Sequence, residues 1–192
     1  RGWDHRTVLV YVGKVGTWYR PDAIARFFRL VREEIPNAFL QIYTQDDPTP
    51  ARQALLLEGI DGSDYDIRYG PPDELPKLVG AADAAISFRA GELSKRAASP
   101  TKVGEYLAAG IPVVTVSGIG DCDEIFERYA AGVVLEEFDD RHYRRAAAQL
   151  RDLLADPAVR ERCRHAARQE FDLEPIGITR YSQIYHRILR ER

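Results

Sequence analysis

Apolar residues along this chain switch repeatedly between two rhythms. Short β-branched or continuous apolar runs give way to stripes spaced by three and four, the pattern of strands alternating with amphipathic helices. Thr7–Val12 reads as a first strand. Pro21 opens a helix whose Ile24, Phe27, Phe28, Val31 and Ile35 form one stripe, and Pro36-Asn37 ends it. Ala38–Thr44, Asp64–Tyr69 and Ala84–Phe88 read as the next strands, separated by helices from Pro48/Pro50 to Leu57 and over Glu74–Val79. Val113–Val116 and Gly132–Leu135 complete the set, with a helix expected between them after the turn Ser117–Glu124. Beyond Asp139 the pattern is helical: Tyr143–Leu154, then Ala158–Phe171 after Asp156-Pro157. A last helix, about Ile178–Leu189, carries Tyr181, Ile184, Tyr185, Ile188 and Leu189 on one stripe.

Strands alternating with helices predict right-handed βαβ units, hence an α/β fold with a doubly wound, Rossmann-like parallel sheet. Ligands of such sheets sit beyond the carboxyl ends of the strands, near the switch in strand order. Residues 1–192 fit a single domain, with 1–6 as a linker remnant and 173–192 holding the C-terminal helix. Composition narrows the function. A net charge of −3 speaks against a nucleic-acid partner, and no apolar run is long enough to span a membrane. Cys122 and Cys163 make no close-spaced motif and read as reduced thiols of a cytoplasmic protein. His5, His142, His165 and His186 lie far apart without ligand spacing, so no metal site is expected. The chain has no methionine, even at position 1, and so reads as a piece of a longer protein.

The most informative stretch is Ser99–Val116, a helix feeding directly into a core strand. Ser99 is suited to the N-cap and Pro100 to the first helical position. Val103, Tyr106 and Leu107 keep helical spacing, Gly110 stands where a C′ glycine ends a helix, and Pro112 blocks continuation. Lys102 falls in the first turn, where the helix dipole disfavours a cation by roughly 0.3–1 kcal/mol. An ammonium beside the free N–H groups of Ser99–Thr101 makes an anion site suited to phosphate. Glu105 shares the Lys102 face, which leaves a plain surface ion pair as the alternative. Gly104, in mid-helix at a cost of about 1 kcal/mol, predicts a close approach by backbone or ligand. A second anion signal is Gly13-Lys14-Val15-Gly16-Thr17 after the first strand, where backbone N–H groups can form a nest. The full dinucleotide fingerprint is absent, against an NAD enzyme. Asp121, Asp123 and Glu124 read as helix-capping acids rather than metal ligands.

The Ser99–Val116 stretch resembles the donor-site helix of group 1 glycosyltransferases, which have the two-domain GT-B fold. Glu105, Ala108, Gly110, Pro112, Val113 and Val114 match the pattern, while a second glutamate eight positions before Glu105 is replaced by Ala97, with Glu92 a candidate substitute. Gly118, Gly120 and Glu124 meet a further family turn loosely. The resemblance covers nearly the whole chain and only the second half of such an enzyme. It implies a nucleoside diphosphate-sugar donor, with the acceptor held by an N-terminal domain absent from this chain. Glu105 would hold the ribose. Lys102 and the N–H groups near Ser99–Thr101 would meet the phosphates, with Pro100 among the donor-binding residues, and Gly13, Lys14, Gly16 and Thr17 would meet the phosphates and sugar, with Arg20 as a second basic candidate. Lys102 would act electrostatically on the leaving group, aided by Lys14. No cofactor and no metal are expected. The location implied is cytoplasmic, with membrane association open for a full-length enzyme. A sugar-nucleotide epimerase and a non-catalytic flavodoxin-like domain are the alternatives. The C-terminal helix either crosses onto the first domain, as in the family, or packs on its own.

Overall fold

The structure is a computed structural model and describes residues 5–16, 19–89, 98 and 101–190. Its six strands are β1 (Thr7–Val12), β2 (Ala38–Tyr43), β3 (Tyr65–Arg68), β4 (Ala84–Ser87), β5 (Val113–Val116) and β6 (Gly132–Leu135). All pair in parallel, in the order β3-β2-β1-β4-β5-β6. The chain thus starts mid-sheet, winds outward through β2 and β3, and returns to the other side of β1. The switch point falls between β1 and β4. This is the dinucleotide-type order, not the flavodoxin-like 2-1-3-4-5.

Eight α-helices are described: α1 (Pro21–Glu34), α2 (Thr49–Leu57), α3 (Leu75–Gly80), α4 (Thr101–Ala108), α5 (Cys122–Tyr129), α6 (Asp140–Ala155), α7 (Val159–Glu170) and α8 (Thr179–Arg190). Side chains of β1 alternate between two cores. Leu9 and Tyr11 face α1, α2 and α6, with Phe27, Phe28 and Leu150. Val8 and Val10 face α4, α5 and α7, with Val103, Leu107 and Ile125. Burial of each large side chain contributes about 1.5–3 kcal/mol, so the two faces share the stabilisation of the sheet. Gly110 follows α4 at φ +78, the left-handed value expected of a C′ glycine.

The C-terminal segment behaves differently. A π-helical turn, Leu173–Ile178, surrounds Pro175, whose missing N–H fits a wider turn. It leads into α8, which buries none of its residues. From Tyr181 at 67% to Ile188 at 49%, the stripe is open, so it does not pack on its own domain. Among the described residues, no helix is long and apolar enough to cross a membrane.

Candidate functional site

At the switch point the sheet splays. Pairing of β1 with β2 runs to Val12 and Tyr43, but pairing of β1 with β4 ends at Val10 and Ala85. A crevice opens above Val10, and the chain crosses it at Gly13. The Gly13 N–H donates to the Tyr43 carbonyl (2.9 Å), and φ is +145. A Cβ here would overlap the Lys102 Nζ, so only glycine admits that ammonium at this point.

Lys102 comes from α4 on one face of the sheet and reaches across the end of β1. Its Nζ lies 4.8 Å from the Tyr19 ring centre and 5.4 Å from that of Tyr11, which belongs to the opposite core. Both separations are within cation–π range. Burial holds its pKa below the ordinary lysine value; Glu105 opposes that shift, and the Arg89 charge adds to it. The described residues give Lys102 no ion pair. A desolvated cation beside a second cation attracts anions.

The remaining predicted residues divide. Lys14 is exposed and lines a recess of about 140 Å³ on the β2 side of β1, with Thr44 and Asp46. Thr101 and Glu105 are exposed and face a larger groove, about 820 Å³, between α4, α7 and the C-terminal segment. Gly16 is exposed with open space around it. Arg20 is drawn away, paired with Asp22 at 2.8 Å and stacked on Phe138 at 4.9 Å. Thr17, Glu92, Ala97, Ser99 and Pro100 lie outside the described residues.

Several expectations need correction. The Gly13–Val15 turn is a poorer nest than its glycines promise, because the Val15 N–H donates to Asp46 Oδ2 (3.2 Å) and that of Gly13 is also engaged. The close neighbour of Gly104 is neither backbone nor ligand but the Phe171 ring, 2.9 Å from where a Cβ would stand. Asp121 occupies the N-cap of α5 without a side-chain cap bond. Asp123 instead folds back to accept from Ser117 Oγ (2.7 Å) and the Gly118 N–H (3.0 Å). At Gly120, with φ +49, an added Cβ would overlap the Ala98 carbonyl oxygen.

Sequence reasoning missed the tyrosines. The Tyr106 hydroxyl accepts the Val12 N–H (3.0 Å), and the Tyr11 hydroxyl donates to the Lys14 carbonyl (2.5 Å). Both rings are buried, and burial raises both phenol pKa values. The available signal was tyrosine, not phenylalanine, at core positions beside a glycine turn. Sequence spacing also missed Glu137, Asp139 and His142, whose ligand atoms fall within 4.8 Å of one another. Helix capping accounts for two of them: Asp139 Oδ1 accepts the His142 N–H (2.9 Å) at the start of α6, with His142 Nδ1 also at 2.9 Å. An epimerase would ask for a histidine in the crevice. Of the described histidines, His142 sits at the start of α6, His165 packs on Tyr129, and His5 and His186 are exposed.

Comparison with known proteins gives one family and one fold. The family described as Glycosyl transferases group 1 matches residues 3–170. None of the curated proteins matches the chain. A glycosyltransferase from Rickettsia africae superposes with a TM-score of 0.74 at 14% identity, covering 98% of this chain and 49% of that one. The pneumococcal O-GlcNAc transferase GtfA, solved with UDP and GlcNAc, gives 0.72 at 13%, covering 95% and 36%. The C-terminal domain of LpcC from Francisella tularensis gives 0.67 at 12%, covering 88% and 87%. At these identities the likeness shows the fold. The chain spans about half the length, or less, of full-size structures such as WaaG, of which it covers 44%.

Proposed function

Because the chain belongs to the group 1 glycosyltransferases, we propose that it holds a nucleoside diphosphate-sugar while the glycosyl group passes to an acceptor carried by another domain. The observation that carries this reading is the Lys102 ammonium over Gly13, desolvated and unpaired among the described residues. As the glycosyl bond breaks, negative charge grows on the departing diphosphate. A cation held in a site of low dielectric stabilises that charge without reorganising. In this reading Lys102 takes that role, with Lys14 beyond Gly13 on the β2 side and Arg89 adding to the field. Glu105, one turn further along α4 and exposed, is the ribose anchor of this reading.

The GtfA structure contains UDP and GlcNAc, and this chain shares its fold, which supports a donor of that class. Stabilisation by lysine and arginine asks for no divalent ion, so donor binding is expected to be independent of metal. Cys122 and Cys163 are free and buried, with burial pushing both thiols up to about 12. Inert thiols of this kind fit the reducing cytoplasm.

Calorimetry with UDP, other nucleoside diphosphates and inorganic pyrophosphate tests the reading. Binding of at least one, unchanged by chelator, is expected. Failure of all of them to bind removes the donor assignment, and binding that disappears with chelator removes its metal-free form.

A further inference from the structure

We propose that Tyr106 is a positioning residue for the diphosphate site: its hydroxyl fastens α4 to the end of β1 and so holds the Lys102 ammonium over Gly13. The proposal rests on the donor reading given above. Successive N–H groups of a strand point to opposite neighbours. That of Gly13 reaches β2, so that of Val12 points toward β4, where pairing has already ended at Ala85. A part-buried N–H left open there would be costly, and the β1–β4 ladder, which ends at Val10 and Ala85, gives it no partner. The Tyr106 hydroxyl supplies the acceptor at 3.0 Å, bridging residues 94 positions apart.

Tyr106 lies four residues after Lys102, on the same face of α4 one turn below it. Fixing its hydroxyl to Val12 therefore fixes the height and rotation of the turn that carries the ammonium. Phenylalanine would fill the same volume, but it would leave the Val12 N–H without a partner and the helix untethered. Tyr11 completes the arrangement from the opposite core, its hydroxyl binding the Lys14 carbonyl. One tyrosine holds the residue before Gly13, and the other the residue after it. The switch point, where the sheet has lost its own hydrogen bonds, is thereby converted from a loose seam into a fixed seat.

The test is a double-mutant cycle on affinity for inorganic pyrophosphate, with thermal melts of each protein. Tyr106→Phe should bind about tenfold more weakly, the worth of one hydrogen bond. In a Lys102→Gln background the same change should cost almost nothing, because it acts through Lys102. A structural role alone lowers the melting temperature and leaves affinity intact, or gives losses that simply add. Either result overturns the proposal. Normal binding by Lys102→Gln overturns the diphosphate reading itself and the proposal with it. If Tyr106→Phe folds poorly, amide exchange in the unaltered protein decides. Saturating pyrophosphate should slow exchange at Val12 and leave Leu9 as it was, and unchanged exchange at Val12 overturns the proposal.

Discussion

Helices α4 and α8 make an instructive pair. Both are amphipathic, and α8 separates its apolar from its polar residues more sharply than α4 does. Yet α4 buries Val103, Tyr106 and Leu107, and α8 buries nothing. Periodicity tells which face of a helix seeks a partner; it does not say that a partner is present. What α4 has in addition is specific to its neighbours: a glycine under Phe171, a tyrosine bonded to β1 and a lysine above Gly13. On α8 the Tyr and Ile stripe stands opposite Arg180, Arg187 and Arg190, with no acid in the helix.

The largest effect that would sharpen this contrast is in the core of α4. Leu107→Ala empties a site that is 0% exposed and should destabilise by about 2–5 kcal/mol in denaturant unfolding. Next comes Lys102→Gln. The unliganded fold should be unchanged, or stabilised by up to about 1 kcal/mol, since a cation leaves the first turn and a half-buried position. Affinity for a nucleoside diphosphate should fall by roughly 1.5–3 kcal/mol, the range for a hydrogen bond to a charged group. A plain surface ion pair with Glu105 would give the opposite result, slightly lower stability and normal affinity.

The strands, the helices and the lie of the candidate residues at the carboxyl ends of the strands were legible in the residue pattern. So were Gly13 and Lys102 as separate anion signals, because each carries a local anomaly: a glycine after a strand, and a cation where the dipole opposes it. Their meeting was not legible. It depends on the β1–β4 splay and on Lys102 crossing from one core to the tyrosines of the other, and both are tertiary facts. Gly104 shows the limit in another way. A mid-helix glycine announces a close neighbour, and only packing reveals that the neighbour is Phe171. The N–H groups of Gly13 and Val15 looked available because their acceptors, Tyr43 and Asp46, lie on a different strand and loop.

A smaller effect separates the two helices by pH. Lys102 has its folded pKa depressed by burial below the ordinary value, while the unfolded chain keeps the ordinary one. Between the two values the unfolded state binds more protons, so stability rises with pH through that window. Below it the burial penalty is present in full; above it the penalty is gone. Phosphate affinity runs the other way and declines as the ammonium loses its proton. Both trends should appear in the difference between the wild-type protein and Lys102→Gln, which cancels the other titrating groups. A flat difference in stability would mean that the ammonium is solvated in the folded protein.

The smallest expected effect lies on α8, and it tests the contrast most directly. Ile184 and Ile188 are 55% and 49% exposed, so the folded chain gains little from them that water would not also give. Glutamine propagates a helix at least as well as isoleucine. The double change Ile184→Gln with Ile188→Gln should therefore shift stability by less than about 0.5 kcal/mol, as for ordinary surface positions. A loss of 2 kcal/mol or more would mean that the stripe is covered in solution. Repeating the melts over a hundredfold range of protein concentration then identifies the cover. A melting temperature that climbs with concentration points to a second copy, because association stabilises by mass action. One that does not climb places the cover within the same chain, and the difference between α4 and α8 would become one of degree.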